Sequence, residues 1–136
     1  MRSSLCAALT ALVAGACSAP KQAAAPAAPP GVQWTLVVLY NQPKDTAAFE
    51  KYYAEKHLPL LAAHAPEIGA TRAELVRFAP SPDGKPAPIY READLRWDSK
   101  EARDKAMSSE GFKAVAGDIP NFATGGVTVL LGQKTN

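Results

Sequence analysis

His57 is the residue of this sequence best suited to proton transfer. An imidazole can accept or donate a proton near neutral pH, and a single well-placed one is enough for general acid or base catalysis. His57 follows an amphipathic helical segment and precedes Pro59, so we expect it at a helix end, close to the mouth of a cavity. The alternative is that it only stabilises the helix dipole at that end. His64 is expected to be a solvated helix residue.

A carboxylate on a neighbouring strand could orient this histidine. Asp94 and Glu92 alternate with apolar residues, so they share the polar face of a predicted strand. If that face lines the cavity, Asp94 could hold His57 or a substrate. The alternative is an ion pair with Arg96 or Arg72.

Two further pairs of residues complete the candidate site. Tyr40 and Asn41 end the first predicted strand, where a phenol and an amide could bind a substrate oxygen. Trp97 and Phe122 could form the wall of an apolar pocket for substrate. Plain packing in the core is the alternative for Tyr40, Trp97 and Phe122.

Motifs for metals and nucleotides are not recognisable. Two histidines and no cysteine pair do not make a zinc site. Gly125-Gly126 precedes a strand instead of a helix, so it predicts a turn and not a phosphate loop. One histidine suffices to ligate a heme, so a heme on His57 stays open, and the sequence does not decide whether a flavin is bound.

The N-terminal part differs in composition from the rest. A weakly positive start and a short apolar run, Leu5 to Ala14, predict an export signal over residues 1–16, since a membrane span needs about 20 apolar residues. The small residues before Cys17 resemble a lipobox, which favours lipid attachment at Cys17; an ordinary signal cleavage is the alternative. Residues 17–31 are rich in Ala and Pro and predict an extended tether.

One folded domain is expected over residues 32–136. Its charge is nearly balanced, the whole chain carrying +2, so nucleic-acid binding is not supported. Cys6 leaves with the signal and Cys17 stands alone, so no disulfide holds the domain. The export signal predicts a periplasmic protein or a lipoprotein that touches the membrane only through its anchor.

Hydrophobic periodicity predicts four strands and three or four helices. The predicted elements, in chain order, are a strand 34–40, a helix capped by Asp45 and ending at His57, a short helix 60–65, a strand 71–79, a strand 89–97, helices 99–107 and 109–117 with Asp98 as cap, and a strand 127–131. The order β-α-β-β-α-β is that of the ferredoxin-like α+β fold. Its first strand is apolar on both faces, so we expect a homodimer closed through the bare sheet face.

Four motifs carry a resemblance to a known family. They are Leu39-Tyr40-Asn41-Gln42-Pro43, the helix pattern from Phe49 through Tyr52-Tyr53 and His57 to Pro59-Leu60, the Pro82-Asp83-Gly84 turn with Asp94-Leu95 and Trp97-Asp98-Ser99, and the run from Asp118 to Val127. With them, residues 34–132 resemble the EthD family of dimeric α/β-barrel proteins.

The resemblance implies two subunits that pair their sheets around a cavity for a small apolar or aromatic molecule. Family members are often labelled reductases, and related barrels include isomerases, monooxygenases and heme proteins. An oxidoreductase or a related acid/base enzyme is therefore expected, with a non-catalytic exported binding or sensing protein as the alternative. Most family members look cytoplasmic, so the export signal is a departure from the pattern.

Overall fold

The computed structural model describes residues 31–135. The predicted signal peptide, Cys17 and all of the predicted tether except Gly31 lie outside the described residues. The elements are β1 (Val32–Asn41), α1 (Thr46–Tyr52), a π-helical turn (Tyr53–His57), α2 (Leu58–Ile68), β2 (Arg72–Arg77), β3 (Ile89–Trp97), α3 (Lys100–Ser108), α4 (Glu110–Asp118), a 3₁₀ turn (Ile119–Asn121) and β4 (Val127–Thr135).

The four strands form one antiparallel sheet in the order β2-β3-β1-β4. This is the split β-α-β arrangement, and it confirms the predicted ferredoxin-like fold. Within residues 31–135, no helix is both long and apolar enough to cross a membrane.

Strand β1 runs through the middle of the sheet and has two different faces. Leu36, Val38 and Tyr40 are buried under the helices. Val37 and Leu39 point to the opposite face and stay partly accessible. Because side chains alternate along a strand, the helices cover one face of the sheet, and we call the other the open face.

The helix that follows β1 begins where the sequence predicts but does not end there. The Asp45 carboxylate accepts a hydrogen bond from the backbone N–H of Ala48 at 2.9 Å and caps α1. The chain then stays helical as far as Ile68, so the predicted helix end at His57 is wrong. His57 lies in the middle of one long helical segment. The alternative interpretation, that His57 stabilises the dipole at a helix end, is therefore wrong.

A π-helical turn makes this continuity possible. The N–H of Leu58 bonds the carbonyl of Tyr53, five residues back, instead of four. The extra residue widens the turn just before Pro59, whose ring would clash with a carbonyl in a regular helix. The same turn places Tyr53 and His57 on the buried side.

The cap of α3 also differs from the prediction. Ser99, not Asp98, accepts the bond from the Ala102 N–H at 3.1 Å. Both residue types are good caps, and the extended backbone of Ser99 places its hydroxyl over the first turn.

A bulge in β3 re-aims one tyrosine. Tyr40 pairs with Arg91, whereas Asn41 pairs with Ile89, so Tyr90 is the extra residue. The Tyr90 ring packs edge-on against Phe49 on the helix side at 5.2 Å. Strict alternation therefore stops at the bulge, and Tyr90 does not share a face with Asp94.

Candidate functional site

His57 is buried between the helices and the sheet, with 3% of its surface exposed. Its ring lies 4.7 Å from the Phe122 ring and 5.3 Å from the Tyr53 ring, centre to centre. The π-helical turn places it there, and Phe122 reaches it from the loop between the 3₁₀ turn and β4. The histidine is thus held in an aromatic wall instead of at a solvent-exposed helix end.

Asp118 is the polar partner of this histidine. The His57 Nδ1 lies 2.9 Å from Asp118 Oδ2. The Tyr52 hydroxyl donates to Oδ1 of the same carboxylate at 2.8 Å, and the Asn121 amide donates to it at 3.0 Å. Both carboxylate oxygens are therefore used, and three side chains converge on one charge.

These contacts keep the Asp118 carboxylate ionised. Burial acts to raise its pKa, but the hydrogen bonds from Asn121, His57 and Tyr52 outweigh burial and hold the pKa of Asp118 below its usual value. A carboxylate on Nδ1 fixes the tautomer with the proton on Nδ1, and leaves Nε2 free to accept a proton.

The His57 ring also lines an apolar cavity. The cavity has a volume of about 40 Å³ and lies between β1, β3 and the helices. Apart from His57, its polar lining side chains are the phenols of Tyr40 and Tyr53. The remaining lining residues are apolar: Leu36, Val38, Leu61, Ala93, Leu95, Phe112, Val115, Ala116 and Ile119.

Burial makes both phenols poor acids. It raises the pKa of Tyr40 far above the usual range, with the nearby Tyr53 adding to the effect. Burial also raises the pKa of Tyr53, against a lowering by Arg91, whose guanidinium lies 4.4 Å above the Tyr53 ring. Near neutral pH both hydroxyls keep their protons and can donate hydrogen bonds.

Of the residues predicted to form a site with His57, two lie beside it. Phe122 contacts the histidine ring, and Tyr40 lines the same cavity. Asn41 donates instead to the carbonyl of Gly125 at 3.1 Å and holds the loop before β4. Trp97 is buried, and its indole donates to the carbonyl of Ile68 at 2.9 Å, away from the cavity lining.

Asp94 lies on the open face of the sheet and does not meet His57. It pairs with Val37 of β1, whose side chain points away from the helices. Its carboxylate accepts a hydrogen bond from the Thr35 hydroxyl and another from the Arg96 Nε at 2.8 Å. The expectation that Asp94 orients His57 therefore fails on the alternation of the strand, and its alternative, an ion pair with Arg96, is what the structure shows.

Asp118 is the site residue that the sequence analysis did not single out. It lies within a family motif, yet 61 positions separate it from His57. Asp118 ends α4, and the 3₁₀ turn that follows places Asn121 against it. The only local signal is an Asp three residues before an Asn, a spacing that also occurs in ordinary turns.

The cavity bears on the cofactors that the sequence left open. A volume of about 40 Å³ leaves room for no more than a few water molecules. A heme ligated by His57, or a flavin beside it, does not fit this cavity as it stands. We derive no chemistry from either group.

The antiparallel sheet with helices on one face defines a ferredoxin-like α+β domain. The histidine–aspartate pair between the helices and the sheet is its candidate proton-transfer site. The EthD domain model matches residues 41–126, so the chain belongs to the EthD family. This range contains both His57 and Asp118.

A curated relative supports the assignment. An uncharacterized 11.0 kDa protein of Rhodococcus erythropolis, named for the thcB–thcC intergenic region, is 35% identical over 97 residues, which are 71% of this chain and 90% of that protein.

Solved structures agree with the fold. An EthD family protein from Bacillus halodurans is 29% identical, with a TM-score of 0.64 over 74% of this chain and 96% of its own. A dimeric ferredoxin-like protein from Bacteroides fragilis is 8% identical, with a TM-score of 0.56 over 78% of this chain and 97% of its own, and shares the fold alone.

Asp118→Asn should make the protein less stable at neutral pH by about 2 kcal/mol, because hydrogen bonds to a charged group contribute about 1.5–3 kcal/mol. The pKa of Asp118 is lowered by folding. Its stabilisation is therefore present above the unfolded value of about 3.9 and is lost as the pH falls through the folded value. Urea unfolding at several pH values should show the difference from wild type shrinking below about pH 4.

Glu55→Gln is the matched control, since Glu55 is an exposed carboxylate in the same π-helical turn as His57. It should leave the acid limb of the stability curve unchanged. A difference between Asp118→Asn and wild type that stays constant down to pH 2 would show that the ionised carboxylate does not stabilise the fold.

Proposed function

We propose that this protein is an acid/base enzyme that moves a proton on a small apolar or aromatic molecule, with His57 as the catalytic base and Asp118 as its partner. The observation that carries the proposal is the hydrogen bond between the buried His57 and the partly buried Asp118, with the His57 ring lining an apolar cavity. In the forward step, Nε2 takes a proton from an acidic C–H or O–H of the substrate, and the bonding electrons stay on the substrate. The resulting imidazolium is stabilised by the Asp118 carboxylate, and the proton returns to substrate or solvent later.

The two phenols have a role in the same step. An electron pair left on the substrate gathers on an oxygen when the proton comes from carbon next to a carbonyl. Tyr40 and Tyr53 stay protonated in this environment, so they are suited to donate to that oxygen. Tyr40 therefore keeps the role expected from the sequence, which is to bind a substrate oxygen. Tyr53 takes the second oxygen-binding role, which the sequence analysis gave to Asn41.

The fold alone does not determine which reaction a protein catalyses. Two distant structures share only the fold with this chain: SnoaB of Streptomyces nogalater, a cofactor-independent oxygenase at 22% identity, and the Passiflora edulis hydroxynitrile lyase at 14%. Such a range means that function must be argued from the site. The described residues supply proton transfer, and a reduction would require an electron donor in addition.

The alternative of a binding or sensing protein predicts a ligand in the same cavity without turnover. Burial of a charged carboxylate beside an imidazole favours chemistry over binding, because desolvating these groups costs free energy that an apolar lining would avoid. A carboxylate with a shifted pKa close to a cavity is typical of catalytic sites.

His57→Gln should abolish base catalysis. A suitable probe is 5-nitrobenzisoxazole, a small aromatic molecule whose C–H deprotonation releases a coloured phenolate. One positioned base contributes about 10²–10⁴-fold, so kcat/KM should fall by at least a hundredfold. Thermal unfolding of the variant checks that the fold persists.

His64→Gln is the matched control. His64 is on α2, partly exposed, with its Nδ1 3.6 Å from Glu67, and it should keep the wild-type rate. Equal rates for His57→Gln and wild type would disprove the role of His57. Tight binding of the probe by wild type without turnover would favour the binding protein.

We further propose that the protein is a homodimer closed through the open face. Val37, Leu39 and Val76 lie on this face, and Val76 and Leu130 are 41% and 50% exposed. A second copy would cover the same patch on both subunits. The Bacteroides fragilis structure of the same fold is dimeric, which supports a dimer.

Leu130→Lys should convert the dimer to a monomer, measured by sedimentation velocity at micromolar concentration. Leu131→Lys is the matched control, since it is 51% exposed on the opposite face of β4. Because the two changes differ only in the face that they alter, equal effects would contradict pairing through the open face. A wild-type protein that is already monomeric would contradict the dimer itself.

We also propose that the domain is exported and anchored through a lipid on Cys17. The support is the sequence alone: the apolar run, the small residues before Cys17 and the Ala- and Pro-rich stretch behind it. A single acyl chain binds membranes weakly, so stable anchoring requires more than one chain on the modified cysteine.

Cys17→Ser should move the protein from the membrane fraction to the soluble fraction, measured by fractionation and immunoblot. Retention of the variant on the membrane, or recovery of an unprocessed chain in the cytoplasm, would refute the anchor.

A further inference from the structure

We infer that the substrate carries an apolar tail, and that a groove between α2 and the β2–β3 half of the sheet binds it while the reactive head reaches His57. This inference rests on the proposed function, because it takes His57 as the group that meets the head. It adds the class of substrate: a small molecule with an acidic or carbonyl-activated head and an aliphatic or aromatic extension.

The groove is wider than the cavity at the histidine. Its volume is about 250 Å³, and every residue that lines it is leucine, isoleucine or alanine. The groove exists because its lining includes three small side chains where larger ones would fill the space between helix and sheet. These are Ala62 and Ala65 on α2 and Ala73 on β2. A wholly apolar groove of this size binds hydrocarbon and offers nothing to a charged or hydroxylated tail.

The groove and the cavity share two walls. Leu61 and Leu95 line both of them, so only side-chain atoms separate the groove from the space beside His57. Leu95 is fixed in the sheet, whereas Leu61 is half-buried on α2. We expect a change of the Leu61 rotamer to join the two spaces, because this side chain lines both of them.

A buried polar group points to a ligand at the inner end. His57 is 97% buried, since 3% of it is exposed, and its Nδ1 is occupied by Asp118. No side-chain hydrogen bond to its Nε2 is seen within residues 31–135, and the ring lines the small cavity. A cavity of about 40 Å³ is too small for a substrate, so the body of the molecule must lie in the adjoining groove.

The test is a series of 4-alkylphenols, from phenol to 4-hexylphenol, titrated into the full-length protein by calorimetry. The phenol head reports on His57, and the alkyl chain reports on the groove. Each buried methylene should tighten binding about fourfold until the groove is full. Ala65→Leu fills the groove, so it should abolish this dependence on chain length and weaken 4-hexylphenol by about tenfold or more.

Ala63→Leu is the matched control, because Ala63 is exposed on the same helix and does not line the groove. It should keep the wild-type dependence. Affinity that does not change with chain length, no measurable binding of 4-hexylphenol, or equal losses in Ala63→Leu and Ala65→Leu would each overturn the inference.

His57→Gln separates the groove from the proposed function. It should weaken every phenol by a similar factor and leave the chain-length dependence intact. Suppose that phenol affinity in wild type does not depend on chain length, but His57→Gln no longer catalyses the elimination of 5-nitrobenzisoxazole. The groove is then not the tail site, and the catalytic role of His57 stands. If the dependence is present but His57→Gln eliminates normally, the catalytic role fails while the groove remains a binding site.

Discussion

The partly buried carboxylate of Asp118 is the constraint around which the helix side of this domain is organised. A carboxylate that is only 13% accessible on its side chain must be given donors, since burying it unpaired would cost several kcal/mol. The donors come from two distant parts of the chain: Tyr52 and His57 on the first long helical segment, and Asn121 just after α4. The His57–Asp118 pair therefore joins the first long helical segment to the C-terminal end of α4.

The aromatic residues around this pair keep water away from the His57 ring. The Phe122 ring lies 5.4 Å from Tyr52, 5.1 Å from Phe49 and 4.7 Å from His57. It covers the polar contacts from the loop side, while Tyr40 supports it from the sheet at 5.8 Å. Electrostatic interactions are stronger in such a dry environment, so the same packing that stabilises the fold strengthens the hold of Asp118 on the histidine.

Local patterns were sufficient to predict the elements of the fold. The apolar run of β1, the alternation along β3 and the Asp45 cap each depend on residues close in sequence, and each occurs where the pattern indicated. The π-helical turn was not predictable in this way. A proline after a histidine is typical of a helix end, and the widened hydrogen bond that keeps the helix intact depends on the burial of Tyr53 and His57 against the core.

The site was predictable only in part, for a related reason. Sequence reasoning found His57, Tyr40 and Phe122, because residue type alone marks them. It considered Asp94 as a partner of the histidine on the condition that the polar strand face lines the cavity, with an ion pair as the alternative. The actual partner, Asp118, is brought in by the packing of α4 against α2 and by a 3₁₀ turn, neither of which a local period reveals.

The two faces of the sheet would separate the proposed chemistry from the proposed assembly, and β1 is the element that they share. Leu36, Val38 and Tyr40 border the cavity, while Val37 and Leu39 face the opposite side. Because these side chains alternate, a partner on the open face would touch none of the groups that meet the substrate. It would still fix the backbone of β1, and a fixed backbone holds the Tyr40 phenol in place. Pairing through the open face would therefore stiffen the cavity wall in each subunit without contributing a residue to either site.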